Sequence, residues 1–142
     1  MTQPTYWKES DADERRHHPA MHGGDGTIVR HSFFREQSRL AVRFDVWELA
    51  PGVSEGSHTH GGAHSSAGDE RPLEEIYYFL NGRGTMWIGG EDVPVQAGDA
   101  VLVPPGIDHG FRNTGTEPLE LMVLGIAKDM QTKHNLIVNG GG

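Results

Sequence analysis

The chain has 142 residues, with 20 Asp and Glu against 12 Lys and Arg for a net charge of −8, and it carries nine His and no Cys. That length accommodates one hydrophobic core. Without cysteine there is no disulfide, thiolate-bound metal, iron–sulfur cluster or cysteine nucleophile; the acidic balance offers no basic stripe for nucleic acid; and no apolar run reaches the ~18 residues of a membrane helix.

In chain order, residues 1–26 are polar and close on Gly23-Gly24-Asp25-Gly26. They lack apolar periodicity and are expected as an N-terminal arm. The neighbouring His17 and His18 read as solvated residues of that arm rather than ligands. The opening MTQPTYWKES has no apolar signal core, so a cytoplasmic location is expected. From residue 27 the text turns β-like. The runs TIVRHSFF, RLAVRFDVWELA, EEIYYFLNGRGTMWIGG, AVLVPP, GFRNTG and LELMVLGIA are rich in β-branched and aromatic residues and bounded by Gly, Pro, Asn or Asp. Many short strands with turn signals predict an all-β sandwich or jelly roll over 27–128, followed by a tail over 129–142. Residues 61–73, GGAHSSAGDERPL, are rich in breakers and follow His58-Thr59-His60 directly. A loop of that length inside a compact domain is a candidate lid.

The histidines carry the chemistry. His58 and His60 are two residues apart, so on a strand their imidazoles project to one face. Glu75 opens the next apolar strand with Tyr77 and Phe79 on its face, and His109 opens another with Phe111 and Asn113. If these strands line one barrel interior, three imidazoles and one carboxylate meet. That set suits one divalent transition metal, Fe, Mn, Ni, Cu or Zn, where Ca or Mg would require more oxygen ligands. Four protein ligands leave two positions open on an octahedral ion.

These residues resemble the cupin superfamily, whose two motifs are G-x5-H-x-H-x3,4-E-x6-G and G-x5-P-x-G-x2-H-x3-N. Gly52, His58 and His60 match the opening of the first, and Glu75 and Gly82 its end. Gly98, Pro104, Gly106, His109 and Asn113 match the second without a gap. The resemblance spans roughly residues 40–127. It departs from the pattern in one place: fourteen residues separate His60 from Glu75. The spacing to Gly82 favours Glu75 as the carboxylate and an insertion before it. Glu74 is adjacent, and a one-residue shift would exchange the two faces. His64, inside the insertion, is a candidate substitute or extra ligand or substrate contact, with a solvated loop histidine as the alternative.

The resemblance implies a double-stranded β-helix, or jelly-roll barrel, with His58, His60, Glu75 and His109 as metal ligands. It also implies a homodimer and a small-molecule substrate. Tyr77 and Glu74 are candidates for proton transfer, and Phe111, Met86 and His64 for the substrate side. Ile88 extends the apolar wall. Arg112 is expected outside, whereas the face of Arg43 is open. Gly52, Gly82, Gly98 and Gly106 are expected at turns, and Asn113 on backbone groups. The fold does not settle the reaction. The leading expectation is a metal-dependent enzyme of dioxygenase type acting on a small oxygen-rich molecule. A metal-dependent isomerase or lyase of a sugar or small acid, and a non-catalytic small-molecule-binding barrel, are the alternatives.

Overall fold

The computed structural model describes residues 5–60 and 74–126. The expected lid, with His64, and the expected tail lie outside the described residues. The strands are β1 (Arg16–Pro19), β2 (Thr27–Ser32), β3 (Val42–Leu49), β4 (Ser54–His58), β5 (Glu74–Asn81), β6 (Arg83–Ile88), β7 (Glu91–Gln96), β8 (Ala100–Val103), β9 (His109–Asn113) and β10 (Leu119–Ile126). The one helical element among the described residues is a 3-10 turn at Met21–Gly23. No helix there is long and apolar enough to cross a membrane.

The strands form two antiparallel sheets, ordered β1-β2-β3-β10-β5-β8 and β4-β9-β6-β7. This is the jelly-roll barrel that the turn spacing predicts. Strand alternation builds its interior. Glu75, Tyr77 and Phe79 face inward on β5, and their neighbours Ile76, Tyr78 and Leu80 face outward. On β3 the inward residues are Arg43, Asp45, Trp47 and Leu49. Trp47, Tyr77, Phe79, Met86, Phe111 and Leu121 close the core. Trp47 and Phe111 stack with ring centroids 6.1 Å apart, and Phe79 meets Phe111 edge-on at 6.2 Å. Complete burial of such side chains stabilises the fold by about 1.5–3 kcal/mol each.

The turns follow the sequence signals. Gly52, Gly82, Gly98 and Gly106 all take positive φ, and at Gly82 an added side chain would also press on the chain at Pro118 and Leu119. Asn113 donates to the carbonyls of Leu49 and Glu117, and so ties the end of β9 to two connections. Asp99 accepts from the Gln96 amide across the β7–β8 turn.

The span read as an arm contributes to the sheet. Arg16–Pro19 pair with Thr27–Arg30 along β2, and Met21 is buried in the core. His18 is half-buried, not solvated. Burial, then the charges of Arg30 and Arg16, push its pKa from 6.5 down to about 4. A four-residue edge strand of polar residues has no periodicity for a sequence reading to catch.

Candidate metal centre

His58 ends β4, Glu75 stands at the start of β5, and His109 opens β9; His60 follows β4 by two residues. The β4–β9 register sets His58 opposite His109, and the other sheet brings Glu75 across the barrel. All four residues are buried, and their ligating atoms lie within 4.8 Å of one another. Glu75 Oε1 is 2.8 Å from His60 Nε2 and 3.3 Å from His109 Nε2.

The surroundings fix how each group presents itself. His58 Nδ1 lies 2.9 Å from the Gly56 carbonyl, and His109 Nδ1 lies 2.8 Å from the Ile107 carbonyl. A carbonyl only accepts, so both Nδ1 atoms carry the proton, and in a neutral ring Nε2 is the atom left to ligate. His58 Nε2 is buried and makes no hydrogen bond. Burial first, then neighbouring His22 and His109, drive the His58 pKa down to about 2, so the ring is neutral and able to ligate. Glu75 is the anionic member. Burial alone would raise its pKa. The His109 and His60 imidazoles and the Arg43 guanidinium outweigh burial and hold the carboxyl well below its usual range. A buried His58 Nε2 with no hydrogen-bond partner beside an anionic carboxylate in a water-poor interior calls for a cation among them. The residues therefore fit a divalent transition metal, with the second carboxylate oxygen held from behind.

That support is Arg43. Its Nη2 donates to Glu75 Oε2 at 2.7 Å and its Nε lies 3.2 Å from Asp45 Oδ2, with every partner buried. Asp45 in turn accepts from Trp47 Nε1 at 3.2 Å and faces Arg30 Nη1 at 3.7 Å. Arg43 is thus an inward residue that orients the ligand. Arg112 is outside, as expected, and donates to the Gly52 carbonyl and to Asp25.

The other expected site residues divide. Tyr77 is fully buried beside the group, its hydroxyl 3.3 Å from Glu75 Oε1 and 3.5 Å from Glu55 Oε1. Burial and both carboxylates raise its pKa well above the usual, so it stays a neutral donor. Glu74 is not brought to the site: on β5 it alternates with Glu75 and lies on the outer face. Phe111 and Met86 are completely buried in the aromatic core. They form a floor beneath Tyr77, because the β6–β9 register pairs them with each other and pairs Ile88, not Met86, with His109.

Two residues of the site carry no motif signal. Glu55 is completely buried, and burial followed by the nearby Glu75 charge raises its pKa well above the usual. His22, from the 3-10 turn, stacks on His58 with centroids 3.8 Å apart and planes 11° from parallel.

A double-sheet jelly roll with three imidazoles and a carboxylate converging inside it defines a cupin-type metal barrel. The chain belongs to the cupin domain family, whose profile matches residues 45–125. It is 35% identical over 106 residues to a protein of Thermotoga maritima named "Oxalate-binding protein", an alignment covering 73% of this chain and 79% of that one. A crystal structure described as a predicted oxalate decarboxylase from Thermotoga maritima superposes with a TM-score of 0.71 at 30% identity, over 83% of this chain and 96% of that one. A glucose-6-phosphate isomerase of Thermococcus gammatolerans is 32% identical over 97 residues, covering 63% of this chain and 49% of that one. The structure of a Cupin 2 conserved barrel domain protein from Salinispora arenicola, at 20% identity and a TM-score of 0.63, shares the fold over 96% of this chain and 99% of that one.

Proposed function

We propose that the chain binds one divalent transition metal through His58, His60, Glu75 and His109 and holds on it a small, oxygen-rich anion of the oxalate type. The observation that carries this reading is the convergence of four buried ligating atoms within 4.8 Å of one another between the two sheets. The similarity to the protein named for oxalate binding supports the ligand class. A bound ion supplies positive charge and coordination positions that two oxygens of one ligand can share. The chain's own residues do the rest. Arg43 holds Glu75 in place, and the Nδ1 contacts of His58 and His109 fix their rings. Tyr77 offers a hydroxyl proton between Glu55 and Glu75, and the Phe111–Met86 floor excludes water.

Dioxygenase chemistry is the reaction type this reading carries, in a cytoplasmic protein. A sugar-phosphate isomerase is less well supported. Phosphate recognition favours available guanidinium groups, and Arg43 is spent on Glu75 and Asp45, while Arg112 lies on the outer surface with Asp25. Calorimetry with oxalate and with fructose 6-phosphate tests the choice, alongside an oxygen electrode. Oxalate binding at one equivalent to metal-loaded protein, and none to chelator-treated protein, is expected. Equal heats with and without metal would refute it. Oxygen uptake with bound oxalate, with CO2 and peroxide as products, would make the site an oxidase; CO2 and formate without net uptake would make it a decarboxylase; neither would leave a binding barrel.

The expected homodimer belongs to the same proposal. Antiparallel sheets usually present polar residues to solvent, yet the outer face of β5 and β8 exposes Ile76, Tyr78, Leu80 and Leu102. A second copy covering that face predicts a dimeric mass in sedimentation and a monomer for Leu102→Glu; a monomeric wild type would remove it.

A further inference from the structure

Beside the four-residue group lies another. His22, Glu55 and His58 bring donor atoms within 4.8 Å of one another. Glu55 Oε2 is 3.8 Å from His58 Nε2 and 3.9 Å from His22 Nε2. It is buried and makes no hydrogen bond, and the same holds for the His58 Nε2 that it faces. The Nδ1 of His58 is committed to the Gly56 carbonyl, so a lone pair and a carboxyl oxygen face each other in a low-dielectric interior. A cation between them would give both atoms the partner that neither has.

The placement of His22 is built into the backbone. Ala20 and His22 both take positive φ, 50° and 51°, on either side of Met21, which is anchored in the core. Non-glycine residues adopt this conformation at an energetic cost, and such strain gathers at functional sites. The turn is pressed against β4 where both chains lack a side chain. A Cβ on Gly24 would collide with the Ser54 carbonyl, and one on Gly56 with the His22 carbonyl. Ser54 and Asp25 lock the crossing with the bonds Asp25 N to Ser54 Oγ at 2.8 Å and Ser54 N to Asp25 O at 2.9 Å. A ring held on His58 by these means has its Nε2 3.9 Å from Glu55 Oε2; sharing an ion with His58 requires the ring to tilt out of the stack, because parallel rings hold their lone pairs in parallel planes.

We propose that Glu55 and His22 are additional ligands of the ion held by His58, occupying positions the four motif residues leave open until a chelating anion displaces them. One ion is involved, because His58 has a single nitrogen to give. The N-terminal turn then belongs to the metal centre and makes its last positions exchangeable. This inference rests on the metal reading above.

The test uses Co2+ as the probe and full-length protein labelled with 15N-histidine. Each coordinated imidazole gives its own paramagnetically shifted N–H resonance. Four are expected in the wild type, from His22, His58, His60 and His109, and saturating oxalate should return the count to three. His22→Phe preserves the ring stack and removes the donor. It should lose one resonance and weaken Co2+ binding by about tenfold or more, the scale seen when support to a metal is removed. Glu55→Gln should weaken binding similarly and shift the visible d–d bands. Three resonances in the wild type, with Co2+ affinity unchanged in both variants, would overturn the inference and leave the four-ligand reading standing. If His22→Phe does not fold, the wild-type count decides alone. Failure of Co2+ to bind at all would overturn both readings.

Discussion

Arg43→Met is expected to be among the most destabilising single substitutions in this protein, by about 3–5 kcal/mol. Arg43 is completely buried and pairs with Glu75 and Asp45, themselves buried. Burial pushes its pKa down, but the charges of Asp45 and Glu75 more than compensate, so the guanidinium stays charged. Methionine fills a similar volume and leaves Glu75 without its guanidinium and Asp45 with Arg30 alone, 3.7 Å away, in a low-dielectric interior. Against a typical domain stability of about 5–15 kcal/mol, that is a large fraction. Arg112→Met is the control. Its pair with Asp25 is at the surface, and an exposed pair contributes about 0–1 kcal/mol. Urea denaturation of the two variants, metal-free and metal-loaded, measures the contrast. A loss at Arg43 no larger than that at Arg112 would mean that the buried network does not hold the fold together. The metal-loaded state should lose more than the metal-free one, because Arg43 also fixes the Glu75 carboxylate.

The second large effect separates two neighbours. Glu75→Gln is expected to lower metal affinity at least tenfold, the loss ~10–100-fold when even an outer-shell partner is removed. Glutamine keeps the shape of the side chain but not the charge that neutralises the ion. Glu74→Gln, one residue away on the outer face of β5, should change neither metal affinity nor stability by more than about 0.5 kcal/mol. Chelator competition on both variants reads the difference directly. Equal losses in the two would mean that the register of β5 against β10 and β8 is shifted by one residue, since such a slip exchanges the faces of the strand.

Those two glutamates show where the sequence is legible. The Glu75-to-Gly82 spacing was enough to prefer Glu75, and the alternation of β5 agrees with it. His58 and His60, two apart, and His109 at the head of β9 were readable for the same reason: local periodicity dictates the face. Arg43 was not, because both faces of β3 are partly apolar. Val42, Phe44 and Val46 alternate with Arg43, Asp45 and Trp47, and the interior took the charged set. Only pairing with β10 and β2 resolves which face is inside.

Glu55 was hidden by a break in the alternation. It stands three residues before His58, an odd spacing that a regular strand would send to the opposite face. The β4–β9 register shifts between Glu55 and His58, and a bulge of this kind resets which side chains point inward. Gly56, in the middle of β4, is the sequence mark of such a kink. His22 arrives from a turn outside the motifs, through a crossing of two backbones that no periodicity encodes. Phe111 and Met86 share the parity of the site but lie one layer deeper, because parity gives a face and not a depth.

Anomalous X-ray scattering from crystals soaked with Mn2+ or Co2+, collected on either side of the metal edge, tests the metal centre most directly. One peak is expected within ligating distance of His58 Nε2, His60 Nε2, Glu75 Oε1 and His109 Nε2, and its loss in His109→Ala crystals. A peak elsewhere in the barrel, or no peak in crystals of protein that takes up the metal in solution, would contradict it.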